Sequence, residues 1–260
     1  MITIPLEPVL VWMLVFLRVG FVLAFLPLIG ERFVPARVRV MMALVIALAL
    51  APVAPVTAAH FPLTIGAMAW LVLTEAMLGF SVGFIGRVMM AVVQFSGQVA
   101  GEQMGFGLIN TIDPTGSNQI SVIAELQYLM AIMVFLALDL HLSFLAAAAA
   151  SFHTLPPGSA VVGAGLTAMM MDLGRTLYSL SLSLAMPVIL IVFSINVGLG
   201  MIARAVPQMN IFLESFPLRI LAGISILLLS LGFTVTIWEQ MFAGLDGMLA
   251  RTLDLMSNGQ

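Results

Sequence analysis

The chain has 260 residues, of which 62% are hydrophobic and 8% charged, against roughly a quarter charged in an ordinary soluble domain. With a mean hydropathy of +1.18, this excludes a conventional water-soluble globule. Nine basic residues, all arginine, and twelve acidic ones leave a net charge of −3, so there is no basic patch for nucleic acid. Cysteine is absent, which removes disulfides, thiolate metal sites and a cysteine nucleophile.

Residues 1–8 carry Glu7 and no basic side chain. They lack the positive region of a cleavable signal peptide, so the first apolar segment is expected to stay attached. Six apolar runs follow, near 9–29, 40–59, 63–86, 122–150, 177–202 and 218–238, each about the 20 residues that cross roughly 30 Å of hydrocarbon. The fold class expected is therefore an all-α integral membrane protein built of helical hairpins. The intervening Gly30-Glu31-Arg32-Phe33-Val34-Pro35 and Leu155-Pro156-Pro157-Gly158 read as turns. If all six runs cross, Arg32, Arg37, Arg39, Arg87, Arg204 and Arg219 fall on one side and Arg175 and Arg251 on the other. Cytoplasmic loops retain positive charge, so both termini are expected outside.

Arg18 and Glu75 interrupt apolar runs. A lone charge in hydrocarbon costs several kcal/mol, which makes them the clearest buried-charge candidates. They pair with each other, or each meets a partner on another subunit. Residues 87–105 extend the third run as helix and place Gln94, Gln98 and Glu102 four apart, one continuous polar stripe. That stripe is too polar for lipid and makes these residues candidates to line a conduit. Gly97, Gly101 and Gly105 run beside it, and Gly79 and Gly83 repeat the spacing earlier. Such small-residue ladders let another helix approach closely.

After the ladder comes Gly105, Phe106, Gly107, Leu108, Ile109, Asn110, Thr111, Ile112, Asp113 and Pro114, continuing Thr115-Gly116-Ser117-Asn118. This is a deformable loop with apolar content, of a kind tolerated at membrane depth only inside protein or along an aqueous cavity. His60, His141 and His153 have no helical metal spacing. Ser179, Ser181 and Ser183 lack a neighbouring His or acid in sequence, and no G-x-S-x-G occurs. No enzyme, metal or cofactor is expected. The methionines, 20 in all, suit core filling and adaptable surfaces. Met241, Leu245, Met248, Leu249, Leu253 and Met256 form the apolar stripe of a C-terminal amphipathic helix, suited to a membrane surface or a partner.

Three separated phrases, in order, resemble the FliR family of flagellar type III protein export. They are Gly97 to Pro114, Phe152-His153-Thr154-Leu155-Pro156, and Pro207-Gln208-Met209-Asn210-Ile211-Phe212 running into Phe216-Pro217-Leu218. The resemblance covers nearly the whole chain. It implies a non-enzymatic export-gate subunit in the bacterial inner membrane at the flagellar basal body. FliP-like and FliQ-like partners would assemble with it, and FlhB-like and FlhA-like proteins would adjoin it. Residues 1–175 would correspond to a FliP-like part, and 176–260 to a FliQ-like hairpin with the amphipathic helix. The segment near 105–118 would plug the pore through which unfolded proteins pass. A cytoplasmic loop bearing Arg204, Pro207, Gln208, Asn210, Phe216 and Pro217 would join the hairpin. The family's gate helices are tilted, so six apolar runs need not be six upright spans. An injectisome counterpart is one alternative. A stand-alone secondary transporter is another, to which Pro187 and Asn196 in the fifth run give a faint pointer.

Overall fold

Long apolar runs with few internal prolines satisfy their backbone groups only as helices when water is scarce, and helices are what form. The structure, a computed structural model, describes residues 6–30, 34–57, 60, 64–107, 121–205 and 211–258. Its helices are α1 (Leu6–Phe25), α2 (Ala36–Leu50), α3 (Ile65–Met104), α4 (Val122–Ala137), α5 (Leu140–Thr154), α6 (Ala164–Ala205), α7 (Ile211–Ala243) and α8 (Leu245–Asn258). There is no strand among the described residues. Inside these helices the hydroxyls return to their own backbone. Ser81 donates to the Met77 carbonyl, Ser194 to Leu190 and Thr236 to Gly232, so these hydroxyls sit in apolar helices with their donors satisfied.

Helix lengths depart from six equal spans. The run at 40–59 is helical only from Ala36 to Leu50. Its 15 residues rise about 22 Å, short of the roughly 30 Å hydrocarbon core; the prolines at 52 and 55 cut it off. The run at 122–150 breaks instead into α4 and α5, bent by 59°, where Asp139 adopts a left-handed φ of 54°. α3 joins the third run to the polar-striped extension as one helix of 40 residues, about 60 Å long. By length and apolarity, four helical stretches suffice to cross a membrane, or five if the bent pair counts as one span.

The chain forms two compact units, interleaved along the sequence. One comprises Met1–Val88, Phe135–Gly174 and Phe242–Gln260; the other comprises Met89–Val134 and Arg175–Met241. This partition differs from the division at 175/176, which concerns likeness to other subunits.

In the first unit, α1 lies against α2 and α5, and the glycine pair of α3 admits the α1 backbone. A Cβ on Gly79 would stand 2.7 Å from the Phe21 carbonyl carbon, and one on Gly83 the same distance from that of Phe25. Phe135 packs on Phe144 and edge-on against Phe242 at ring separations of 6.2 and 6.0 Å. The α8 stripe buries Leu245, Leu249, Leu253 and Met256. α8 packs on α5, while the Met256 carbonyl accepts the Val161 N–H and the Thr252 hydroxyl points to the Met169 sulfur. These four residues of the predicted stripe thus pack within their own chain, while Met241 and Met248 are half-buried.

In the second unit, Ala100, Met104, Ile123, Val188 and Val192 form the core, with Phe106, Ile191, Ile226 and Leu227 against it. Gly97 takes the start of α4 at contact distance, where a Cβ would come within 2.6 Å of the Ala124 Cα.

Candidate functional site

Two groups of polar residues stand out against the apolar background, one in each unit. In the first unit Arg18 on α1 and Glu75 on α3 are 0% and 1% exposed and are brought together. Arg18 Nε donates to Glu75 Oε2 at 2.6 Å and Nη2 to Oε1 at 2.8 Å, a two-pronged pairing of planar groups. Its Nη1 donates to the Leu155 carbonyl at 2.9 Å and the Ser151 hydroxyl at 3.2 Å. Glu75 Oε1 also accepts the Gly158 N–H at 3.2 Å, and the guanidinium lies 4.3 Å from the Phe152 ring centre. The ion pair therefore fixes the turn after α5 through its backbone. The phrase Phe152-His153-Thr154-Leu155-Pro156 supplies that anchoring with Phe152 and Leu155, both buried, while His153, Thr154 and Pro156 are exposed. Ser151, the Leu155 carbonyl and the Gly158 N–H escape sequence reading, since two of the three groups are backbone.

Arg87, at the end of the first unit's stretch of α3, closes the C-terminus of α1. Its guanidinium reaches the carbonyls of Phe25 at 3.1 Å, Gly30 at 3.4 Å and Ala24 at 3.5 Å, which a helix C-terminus favours.

The second group lies where α3 ends. Gly105 has φ +100°; its N–H donates to the Glu102 carbonyl and the Phe106 N–H to the Gly101 carbonyl, both at 3.0 Å. Those two bonds and a left-handed glycine make a Schellman stop. Phe106 turns into the core cluster, and the Phe216 ring covers Gly105, 2.7 Å from where a Cβ would be. A Cβ on Gly101 would collide with the Ser121 hydroxyl. Ser121 caps α4 by accepting the Ile123 N–H. Of the polar stripe, Gln98 donates to Glu102 Oε1 at 2.9 Å and accepts the Ser121 N–H at 2.9 Å. Gln94 is half-buried and Glu102 exposed. Leu108, Ile109, Asn110, Thr111, Ile112, Asp113 and Pro114 lie outside the described residues.

The connection expected from Arg204 to Pro217 is shorter. Arg204 belongs to α6, and Phe216 and Pro217 belong to α7; Pro207, Gln208 and Asn210 lie outside the described residues. Pro217 lies inside α7, where it removes one intrahelical donor. The serines weighed as nucleophiles are structural. Ser181 is fully buried, donating to the carbonyls of Val92 and Leu177, and Ser179 and Ser183 donate to carbonyls of their own helix. Among the described residues, no group of three His, Asp or Glu is placed to hold a metal.

Helices of membrane-crossing length, a buried ion pair joining two of them and hydroxyls returned to the backbone define an all-α integral membrane protein. Residues 9–245 match the family described as bacterial export proteins, family 1. Similar proteins include the flagellar biosynthetic protein FliR of Escherichia coli K12, 30% identical over 90% of this chain and 89% of that protein. FliR of Pectobacterium carotovorum is 30% identical over 94% and 92%, and FliR of Caulobacter vibrioides 30% over 88% and 91%. The chain belongs to the FliR family of bacterial export proteins.

Proposed function

We propose that this protein is a core subunit of the flagellar type III export gate. It forms part of the conduit by which unfolded flagellar proteins cross the bacterial inner membrane at the basal body. The observation that carries the reading is 30% identity along 94% of the chain to a flagellar biosynthetic protein FliR. The exposed Glu102 and half-buried Gln94 of the polar stripe face the conduit, and residues near 105–118 act as its plug. The chain acts without catalysis and without a cofactor. FliP-like and FliQ-like subunits complete the gate, with residues 1–175 playing the FliP-like and 176–260 the FliQ-like part; FlhB-like and FlhA-like proteins adjoin it. Both termini lie on the periplasmic side, in keeping with six arginines on the cytoplasmic flanks against two opposite. An injectisome gate would use the same chemistry, but the three relatives described carry flagellar names.

Co-purification from the native operon in mild detergent tests membership: FliP-like and FliQ-like chains are expected with this one. Recovery alone as a folded, monodisperse species would transfer the reading to a stand-alone transporter. In the assembled complex, deletion of residues 106–114 is expected to preserve assembly and raise small-ion conductance. Unchanged conductance would remove the plug.

A further inference from the structure

We infer that the end of the first unit bearing Arg37, Arg39 and Arg87 binds the headgroups of anionic phospholipids, with the outward face of α2 standing in the acyl layer beneath them. The inference concerns how the chain is held in its membrane and goes beyond the export role. Arg87 is exposed, yet its Nε and Nη2 are fixed by the carbonyls that end α1. Arg39 Nη2 donates to the Val34 carbonyl at 3.3 Å. Gly30, held by Arg87, and Val34 are four positions apart, within about 14 Å by chain reach, so both guanidinium groups sit at one end of the α1–α2 hairpin. Arg37 is exposed in the first turn of α2, which contains no acidic residue. Guanidinium groups gathered in this way suit the phosphodiester of an anionic lipid by charge and by the shape of their N–H forks.

The surface beneath the arginines is apolar throughout. α2 turns Ala43 and Ala47 inward, the first of them against Gly20 of α1. Val38, Met41, Val45 and Leu48 are exposed on the opposite face, which Arg37 heads. From Val40 to Leu50 every residue is apolar, so this face offers no polar group to specify a protein partner. α3 shows the same pattern. Arg18 meets Glu75, Phe21 meets Gly79 and Phe25 meets Gly83, so α1 and α3 run in one direction at constant register and Trp12 and Trp70 share a level. Arg87 lies 17 residues beyond Trp70, a rise of about 26 Å. In between, Leu73, Met77 and Phe80 are exposed, whereas the polar Thr74, Glu75 and Ser81 are buried. Tryptophans at one rim, arginines at the other and apolar surface across nearly the depth of the hydrocarbon layer match a bilayer.

The full chain, with whatever subunits co-purify, is placed in nanodiscs of phosphatidylglycerol and phosphatidylcholine in equal amounts, and the lipids it retains are read by native mass spectrometry. Phosphatidylglycerol is expected to be retained preferentially, with the preference reduced about fivefold by Arg37→Gln and restored by Arg37→Lys. Equal retention of the two lipids by the wild type, or an unchanged preference in Arg37→Gln, would overturn the headgroup site. Displacement of phosphatidylglycerol by inorganic phosphate would also overturn it, because the site would then serve a soluble anion. Spin labels on Met41→Cys, Val45→Cys and Leu48→Cys, in a chain that has no cysteine of its own, test the acyl layer. From position 41 to 48, access to oxygen is expected to rise and access to a water-soluble nickel chelate to fall. Protection from both reagents would mean that protein covers α2, and nickel access at all three positions would mean water; either result overturns the lipid face. Neither readout depends on partner identity or ion conductance, so failure here leaves the export reading to its own co-purification test.

Discussion

Arg18 shows how a charge is made acceptable inside an apolar helix pair. Four of its N–H directions are used, on Glu75, Ser151 and Leu155, and a ring covers its face. The partners are spread over helices far apart in sequence, so removing one leaves a buried charge with no water to replace it. Glu75→Gln or Arg18→Met is therefore expected to destabilise the protein by about 3–5 kcal/mol, read as a lower Tm in detergent. The combined Arg18→Met and Glu75→Leu variant is expected to cost less than the two single effects added together, because neither charge remains stranded. Additive losses would show that the two residues act independently. At Asp139 the backbone carries the burden instead: φ of 54° is tolerated better by Asp than by most L residues, and it is where α4 gives way to α5.

At the scale of elements, helix spacing is decided by what the facing surfaces lack. Gly79 and Gly83 sit one helical turn apart on α3, and the α1 backbone occupies the space their side chains would need. Gly83→Ala places a methyl group against Phe25, a collision with backbone that rotamer change cannot relieve. It is expected to cost about 1–3 kcal/mol, again measured by thermal unfolding. Gly232 on α7 has nothing within 4 Å of its Cβ position, so Gly232→Ala is expected to be neutral or stabilising by up to about 1 kcal/mol. The contrast separates lost space from altered helix propensity, and equal effects at both sites would reject the packing account. α8 follows the same logic from the other side. Its stripe reads as a surface-seeking helix because sequence periodicity reports an apolar face without naming what covers it. Contacts with α5, Val161 and Met169 supply the cover.

At the scale of the molecule, topology turns on the short and the broken helices. Both termini on one side requires an even number of crossings. With α2 at 15 residues and α4–α5 bent by 59°, two of the six apolar runs are not simple spans. The chain has no cysteine, so single-cysteine variants report without background. Glu7→Cys and Ser257→Cys, both at exposed positions, are expected to react with a membrane-impermeant thiol reagent added from the periplasmic side. Labelling of only one of them from that side would mean an odd number of crossings and an inverted half of the chain.

Sequence alone determined the class. Composition and run length force a helical membrane protein because unpaired backbone groups are too costly in lipid, and three ordered phrases carry the family. It also singled out Arg18, Glu75, Gln98, Glu102 and the glycine ladders, since charge, amide groups and missing side chains in apolar helices need a physical reason. Only the tertiary structure decided what each of them meets. Arg18 and Glu75 are 57 positions apart, and no local pattern encodes that they pair or that they hold the Leu155 and Gly158 backbone. Gln98 reads as a conduit residue from helical periodicity, yet its partner Ser121 arrives from beyond the loop, 23 positions on. The periodicity of a single helix specifies which residues share a face; which segment of chain covers that face is fixed by long-range packing.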